Sequence, residues 1–174
     1  MMSRRAAKSR EVITPVRTTF IISSLLIALL INLLPWPQSI ITLVPDFVSL
    51  TVLYWCLHQP RRFGFTAAWL LGLLMDVANG TLFGQHALAY SVLAYAGIVL
   101  HRRVLRFTMR DQVLHVIPLL LMTDLIVLAV RMIVGTELPG ISYFAGSFVG
   151  GLLWPVACFL LTLPQRLRSH SEYV

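Results

Sequence analysis

The chain has few charged residues for its size. Only 12% of its 174 residues are charged, whereas 57% are hydrophobic, and the mean hydropathy is +0.80. A soluble domain carries about 25% charged and about 45–50% apolar residues. The composition therefore excludes a water-soluble globule, a disordered chain and a nucleic-acid-binding domain, although the formal net charge is +7. It indicates an integral membrane protein, which has the lipid bilayer as its first partner.

Sequence motifs for catalysis and metal binding are also missing. The sequence has no HExxH, no GxSxG and no phosphate-binding Walker loop. It has two cysteines, Cys56 and Cys158, and no Cys/His cluster that would hold a metal ion. We therefore expect a protein without enzyme activity, metal or cofactor, with two buried and reduced thiols.

Six apolar runs have the length of roughly 17–25 residues that a membrane-spanning helix needs. They cover residues 18–34, 40–57, 63–79, 81–100, 113–134 and 142–163. The runs predict an all-α fold with a six-helix membrane domain over residues 18–163. A basic tail at residues 1–17 precedes this domain and a second tail at 164–174 follows it.

The fourth run is the least regular of the six. Gly84, Gln85 and His86 interrupt its beginning, where a continuous helix would have apolar residues. A partly re-entrant segment near Gly80–His86 is therefore an alternative to a full membrane crossing.

Basic residues fall on one side of this arrangement. They are Arg4, Arg5, Lys8, Arg10 and Arg17 before the first run, Arg61 and Arg62 in the second connection, Arg102, Arg103, Arg106 and Arg110 in the fourth, and Arg166 and Arg168 after the last run. These are 13 of the 14 Lys and Arg residues, and the other three connections have none. Because cytoplasmic connections are enriched in Lys and Arg, both termini are predicted to be cytoplasmic.

Four ionisable side chains lie within the runs or at their edges: Asp46, Asp76, Asp124 and Arg131. Each costs at least ~2.5–3.5 kcal/mol at the centre of a membrane, so each is expected to face protein or water. From a rise of ~1.5 Å per residue, Asp124 lies near the midplane and Arg131 lies roughly 10 Å nearer the outside. Asp46 and Asp76 share the depth of Arg131, with Asn32 nearby.

These depths predict a polar cluster in which Arg131 neutralises one or both outer carboxylates. The alternative is that each side chain reaches the outer interface separately. Asp124 is too deep for that, and it must face protein, remain protonated or meet water.

Small residues form a second pattern. Ala68, Gly72, Asp76, Gly80 and Gly84 recur at every fourth position, and Gly146 and Gly150 form a GxxxG pair in the sixth run. Such spacing lets two helix backbones approach closely in a membrane. We predict that these glycines serve helix packing, either within the chain or against a partner.

Short motifs in the first half of the chain point to a known family. They are Pro45-Asp46-Phe47, Tyr54-Trp55, Arg61-Arg62, Gly72-Leu73-Leu74-Met75-Asp76 and the run Gly80-Thr81-Leu82-Phe83-Gly84-Gln85-His86-Ala87-Leu88-Ala89-Tyr90. Together with the six runs and the short connections, these motifs resemble the MreD family of bacterial rod-shape-determining proteins. The C-terminal third resembles the family only in general character, so the roles given above to Asp124 and Arg131 are inferences from depth and charge.

The resemblance implies a non-enzymatic subunit of the cell-elongation machinery in the bacterial inner membrane. Such a subunit binds the bitopic protein MreC and, through it, belongs with the MreB filament and the RodA–transpeptidase synthase that builds the lateral peptidoglycan wall. The MreD family is in turn similar to the substrate-binding components of energy-coupling-factor transporters, which also have six membrane helices. A substrate-binding subunit of a vitamin or small-molecule transporter is therefore the alternative function.

Overall fold

A computed structural model describes residues 17–135 and 140–171, with side chains as far as Leu163. Over these residues the chain forms six α-helices. They are α1 (Thr18–Asn32), α2 (Phe47–His58), α3 (Phe65–Ala78), α4 (Gln85–Val104), α5 (Met109–Ile133) and α6 (Ala145–Ser171), with 3₁₀ helices at Ile41–Leu43 and Ile141–Phe144. The prediction of an all-helical chain with six helices is confirmed. Residues 1–16 of the predicted first tail and 172–174 of the second lie outside the described residues.

Several of these helices have the length and composition of membrane spans. Three described segments are long and apolar enough to cross a membrane: Ile41–His58, Met109–Ile133 and Ile141–Leu163. Two further helices, Thr18–Asn32 and Phe65–Ala78, are apolar but shorter. The chain therefore has the helices of a membrane protein.

The second apolar run is divided, whereas the sequence predicted one helix over residues 40–57. A 3₁₀ turn ends at Leu43, Val44 is extended with ψ of 119°, and α2 begins only at Phe47. Pro45 causes this break, because proline lacks an N–H group and disfavours a helical conformation in the residue before it. Asp46 then caps α2, since its side chain accepts hydrogen bonds from the N–H groups of Val48 and Ser49.

The fourth helix begins four residues later than the sequence predicted. Residues 79–84 form a turn in which Gly80 has φ of +59° and Gly84 has φ of +100°. Both values lie in the left-handed region, which glycine enters without the steric cost that a Cβ atom brings. The turn therefore ends α3 at Ala78 and starts α4 at Gln85, and it folds the beginning of α4 back onto the end of α3.

The last two helices are longer than the runs that predicted them. Helix α5 begins at Met109, four residues before the run starts, and the hydroxyl of Thr108 donates to Asp111 in its first turn. An acidic residue at this position is favourable, because the N-terminus of a helix carries a partial positive charge. Helix α6 continues to Ser171, beyond residue 163 where the sixth run ends.

Helices α2 and α4 form the centre of the bundle. Every residue of α2 from Val48 to Leu57 is buried. Helix α4 packs against α2, α3 and α5, while α2 also contacts α1 and α6. A Cβ atom added at Gly97 in α4 would lie 2.9 Å from the Cβ atom of Cys56, so this glycine brings the two central helices together.

Buried tryptophans join the outer helices to this centre. The indole nitrogen of Trp55 in α2 donates to the hydroxyl of Ser24 in α1 at 2.9 Å. The indole nitrogen of Trp154 in α6 donates to the side-chain oxygen of Gln112 in α5 at 3.1 Å. A buried indole N–H needs such an acceptor, because leaving it unbonded in an apolar interior is costly. These pairs therefore fix how the helices rotate against each other.

Candidate functional site

A polar cavity of about 740 Å³ opens at one end of the bundle. Several helices and connections form its walls. They are the end of α1, the 33–45 connection, the end of α3 with the turn after it, and the adjoining parts of α2, α4, α5 and α6. Its ionisable lining residues are Asp46, His86, Tyr90, Asp124, Arg131 and Tyr143. The cavity therefore brings together three of the four ionisable residues that the sequence placed within or at the edges of its apolar runs, namely Asp46, Asp124 and Arg131.

Asp46 is held by donors from three helices. Besides capping α2, its carboxylate accepts from the amide nitrogen of Asn32 at 2.6 Å and from the hydroxyl of Tyr90 at 2.6 Å. Asn32 in turn accepts a hydrogen bond from the backbone N–H of Phe47. The expected proximity of Asn32 and Asp46 is therefore present, and the carboxylate ties the ends of α1, α2 and α4 together.

Asp76 lies behind the cavity wall and is fully buried. Its carboxylate accepts from the backbone N–H groups of Gly84 at 2.8 Å, His86 at 3.0 Å and Ala87 at 3.4 Å. Nδ1 of His86 lies 2.7 Å from Oδ1 of Asp76. Since an ionised carboxylate can only accept, Nδ1 carries the hydrogen in this pair. Asp76 thus occupies the anion position at the N-terminus of α4.

The expected role of Arg131 as counter-charge of Asp76 needs correction. Within the described residues, the ionisable side chain that hydrogen-bonds Asp76 is His86, and no ion pair joins Arg131 to Asp46 or Asp76. Arg131 instead donates from Nε to the side-chain oxygen of Gln85 at 3.4 Å, and its guanidinium lies 6.0 Å from the ring centroid of Tyr143. The difference arises because both carboxylates are already satisfied by helix N-termini and neighbouring side chains.

Asp124 lies on α5 and faces the same cavity. The hydroxyl of Ser147, in the first turn of α6, donates a short hydrogen bond to Oδ2 of Asp124. Asp124 therefore faces protein and the cavity, and it joins α5 to α6 beside the same cavity at which Asp46 joins α1, α2 and α4.

The predicted glycine stripe divides into two kinds of position. A Cβ atom at Gly72 would lie 2.6 Å from the carbonyl carbon of His86, so this glycine does allow the backbones of α3 and α4 to approach. A Cβ atom added at Gly80 or Gly84 would meet no atom of the described residues within 4 Å, which corrects the packing role predicted for these two glycines. They are required by their positive φ instead.

The GxxxG pair of α6 packs within the chain. A Cβ atom at Gly146 would lie 2.9 Å from the carbonyl oxygen of Val44, and one at Gly150 would lie 3.2 Å from the Cβ atom of Pro45. Both glycines therefore make room for the connection that precedes α2. Among the two open interpretations, these contacts favour packing within the chain.

Metal-ligating side chains do not gather anywhere in residues 17–135 and 140–163, whose side chains the structure describes, since no three His, Cys, Asp or Glu side chains meet there. Cys56 and Cys158 are both buried and free, in α2 and α6.

Sequence reasoning assigned no role to His86, Tyr90 or Ser147. The sequence does contain a feature that predicts the contact of His86, because a tight turn between Asp76 and His86 places the two residues opposite each other. Tyr90 and Ser147 offered no such signal, since each bonds a carboxylate that is far away in sequence, 44 and 23 residues respectively.

The buried central helices, the apolar outer faces and the polar cavity at one end define a helical integral membrane protein with no recognisable catalytic centre in its described part. Comparison with known proteins then gives the family. Residues 14–163 match the sequence profile of the family described as rod shape-determining protein MreD. The chain belongs to the MreD family.

One relative can be compared over most of its length. The rod shape-determining protein MreD of Haemophilus influenzae is 32% identical over 152 residues, which cover 86% of this chain and 93% of that protein. No solved structure matches the chain. Family membership assigns the chain to the determination of rod shape.

Proposed function

We propose that the protein is a non-enzymatic inner-membrane subunit of the complex that elongates rod-shaped bacteria. The match to the MreD family over residues 14–163 carries this proposal. In this function the chain binds MreC directly and thereby belongs to a wider complex with the MreB filament and the RodA–transpeptidase synthase. It acts as a scaffold that guides where lateral peptidoglycan is made.

Binding within the membrane suits the outer surface of the bundle. Helices α1, α3 and α6 present rows of exposed apolar side chains, for example Leu26 and Leu30, Leu70 and Leu74, and Leu152 and Val156. Association of helices in a membrane depends on close packing and interhelical hydrogen bonds, because lipid is as apolar as these side chains. A bitopic partner with one membrane helix can pack on such a face without exposing polar groups to lipid.

We also propose that six membrane spans place both termini in the cytoplasm. Basic residues support this topology, because cytoplasmic connections are enriched in Lys and Arg. The helix ends opposite the polar cavity are flanked by Arg17, Arg61, Arg62 and the arginines around the α4–α5 connection. The cavity then opens on the outer face of the membrane. Reporter fusions after Arg110 and at the C-terminus should read cytoplasmic, and a fusion after Gly140 should read external. A periplasmic C-terminus would remove one span from this topology.

Depletion followed by microscopy tests the function itself. Removing the protein from a rod-shaped host should turn rods into spheres, and the full-length chain expressed in trans should restore rods. Co-purification of tagged full-length protein with MreC from membranes measures the direct contact. Rods that persist after complete depletion would refute the elongation function, whereas spheres without MreC co-purification would refute only the choice of partner.

A further inference from the structure

Four arginines stand close together in sequence where α4 passes into α5. They are Arg102 and Arg103 in the last turn of α4, Arg106 in the connection and Arg110 in the first turn of α5. All four side chains are exposed. Among the side chains that the structure describes, no carboxylate lies within ion-pair distance of any of them. The positive charge of this arginine segment, residues 102–110, is therefore not neutralised within the described fold.

Helix electrostatics explain two of these arginines and leave the other two unexplained. The C-terminus of a helix carries a partial negative charge, so Arg102 and Arg103 are favourable at the end of α4. Arg106 belongs to neither helix, and Arg110 stands at the N-terminus of α5, where the partial positive charge disfavours a cation. The neighbouring Asp111 accepts a hydrogen bond from the hydroxyl of Thr108. An anion from outside the chain would therefore stabilise this segment.

Exposed apolar side chains alternate with the arginines. Leu105, Phe107 and Met109 are 39%, 36% and 53% exposed, and Arg106 lies between the first two of them. Exposed apolar and basic side chains in one short segment are typical of chain that lies at a membrane interface. There the basic groups reach the lipid headgroups while the apolar groups contact the acyl chains.

The length of α5 places the arginine segment at this depth. Helix α5 has 25 residues and the apolar composition of a membrane span. At ~1.5 Å per residue its length is about 37 Å, whereas the hydrocarbon core of a bilayer is ~30 Å thick. The helix is therefore longer than the core, and its first turn extends to the level of the lipid phosphates.

A buried glutamine fixes the backbone of the segment. The side-chain nitrogen of Gln112 donates to the carbonyl oxygen of Phe107 at 3.2 Å, and its oxygen accepts from the indole of Trp154 in α6. The ring of Phe107 also stacks on His115, with 4.6 Å between the ring centroids. A binding site whose backbone is already ordered loses less conformational entropy when its ligand binds.

The choice of basic residue also suits phosphate. All four basic residues of the segment are arginine, whose planar guanidinium can form two parallel hydrogen bonds to a phosphate. The orientation of a membrane protein depends on positive charge, which lysine supplies equally well. The segment therefore has more phosphate-binding geometry than orientation in the membrane requires.

We propose that residues 102–110 form a binding site for the phosphate headgroup of an anionic phospholipid. The guanidinium groups bond the phosphate, and Leu105, Phe107 and Met109 contact the acyl chains of the same lipid. An acidic protein segment would supply the negative charge from the water, whereas a phospholipid supplies the charge and the apolar surface together. This site goes beyond the scaffold function and does not depend on MreC.

Lipid selectivity tests this proposal. Full-length protein is placed in nanodiscs that contain equal amounts of phosphatidylglycerol, which is anionic, and phosphatidylcholine, which is zwitterionic and has the same acyl chains. Native mass spectrometry of the released protein counts the lipids that remain bound. We expect phosphatidylglycerol to be retained over phosphatidylcholine at least tenfold, because each basic residue near an anionic headgroup contributes about a fivefold preference.

Two double variants locate the binding. Arg106→Gln combined with Arg110→Gln should lower the preference at least fivefold. Arg61→Gln combined with Arg62→Gln is the matched control, since it removes the same charge from the other basic connection, where the adjacent Phe63 is buried. The control should keep the preference. Equal losses in the two variants would indicate diffuse attraction and overturn the proposal, and a natural chain without preference would do so in favour of an acidic protein partner.

A measurement on the unaltered chain covers the case in which a variant does not fold. A phosphatidylglycerol analogue carries a diazirine near its headgroup, from which light releases nitrogen, and the resulting carbene inserts into a nearby bond. Mass spectrometry of the digested protein should find the cross-link within residues 102–110. Excess unlabelled phosphatidylglycerol should suppress it, and phosphatidylcholine should not. Cross-links spread equally over both basic connections, or suppressed equally by the two lipids, would contradict a specific site.

Discussion

Nδ1 of His86 lies 2.7 Å from Oδ1 of Asp76, although the two residues stand ten positions apart on either side of a tight turn. The same carboxylate accepts backbone N–H groups from Gly84 and Ala87 at the start of α4. Asp76 therefore fastens the end of α3 to the beginning of α4. The ionisable side chain that bonds Asp76 is therefore His86 and not Arg131.

The first prediction concerns this pair. Replacing either residue with Ala should lower the free energy of unfolding, because a hydrogen bond to a charged group contributes about 1.5–3 kcal/mol. Asp76→Ala should be the more damaging change, since three backbone N–H groups also lose their acceptor. Thermal unfolding of the two single variants and the double variant in nanodiscs gives the interaction energy.

A double-mutant cycle, which compares two single variants with the double variant, also tests whether Asp76 interacts with His86 or with Arg131. Contacting residues usually show interaction energies of about 0.5–3 kcal/mol, so Asp76→Ala and His86→Ala should be clearly non-additive. Asp76→Ala and Arg131→Ala should show a smaller interaction energy, because within the described residues Arg131 is connected to Asp76 only through Gln85 and His86. An interaction energy for the Arg131 pair as large as that for the His86 pair would restore the counter-charge role that the sequence predicted.

The second prediction distinguishes the glycines of the α3–α4 hairpin. Gly84→Ala should destabilise by about 1–2 kcal/mol, the cost of a left-handed conformation for a residue with a Cβ atom. Gly84→Asn should cost less, since Asn tolerates this region. Gly72→Ala should destabilise through the clash with the backbone of α4, by about 1–3 kcal/mol.

Gly140 supplies the control for these substitutions. It has an ordinary φ of −63°, and among the described residues a Cβ atom there would meet only the hydroxyl of Ser142, at 3.7 Å. Gly140→Ala should leave the unfolding midpoint unchanged. If Gly84→Ala were equally harmless, the turn would not require glycine.

The charge of the side chains and their depth in the membrane predicted which residues would line a polar site, but not which residues would bond each other. Asp46, Asp124 and Arg131 are conspicuous in apolar runs, and the structure places all three at one cavity. Their partners depend on which helices are neighbours, and nothing local in the sequence encodes that Tyr90 would reach Asp46. Asp76 and His86 were likewise both visible in the sequence. Because Asp76 and Arg131 were estimated to lie at the same depth, however, Arg131 was predicted as the partner of Asp76.

The spacing of the glycines led to a wrong prediction for Gly80 and Gly84. A spacing of four residues puts side chains on one face only while the helix continues. Helix α3 ends at Ala78, so Gly80 and Gly84 belong to a turn and no longer share a face with Gly72. The dipeptide Asn79-Gly80 was the local signal for that turn, because glycine accepts positive φ there.

The third prediction tests the link between α2 and α4. Tyr90→Phe removes the hydroxyl that donates to Asp46 and should destabilise by about 1.5–3 kcal/mol, as expected for a hydrogen bond to a charged group. Tyr95→Phe on the same helix is the control, since Tyr95 is 66% exposed and should tolerate the change. Equal unfolding midpoints for the two variants would show that the Tyr90 hydroxyl contributes nothing.

The fourth prediction compares two buried serines. Ser24→Ala leaves the indole N–H of Trp55 without its acceptor and should destabilise by about 1–3 kcal/mol. Ser91 is also buried, but its hydroxyl has no hydrogen-bond partner among the described residues. Ser91→Ala should therefore be neutral or stabilising. Trp55 fluorescence during unfolding reports on the first site, and a destabilised Ser91→Ala would imply a bond that the fold does not show.

The last prediction concerns Gly146, where two interpretations of a GxxxG pair lead to different outcomes. If Gly146 serves packing within the chain, Gly146→Ala places a Cβ atom 2.9 Å from the carbonyl oxygen of Val44 and strains the connection before α2. The purified protein should then unfold at lower temperature with no partner present, and Asp46, two residues after Val44, should hold α2 less firmly. If Gly146 instead formed an interface, the isolated variant would be as stable as the natural chain and only co-purification with MreC would fall. Leu152→Ala is the control on the same helix, because Leu152 is 68% exposed and its truncation opens no cavity inside the bundle. We expect the first outcome, with lower stability of Gly146→Ala in isolation and unchanged stability of Leu152→Ala, because backbone atoms of the same chain already occupy the space beside this glycine.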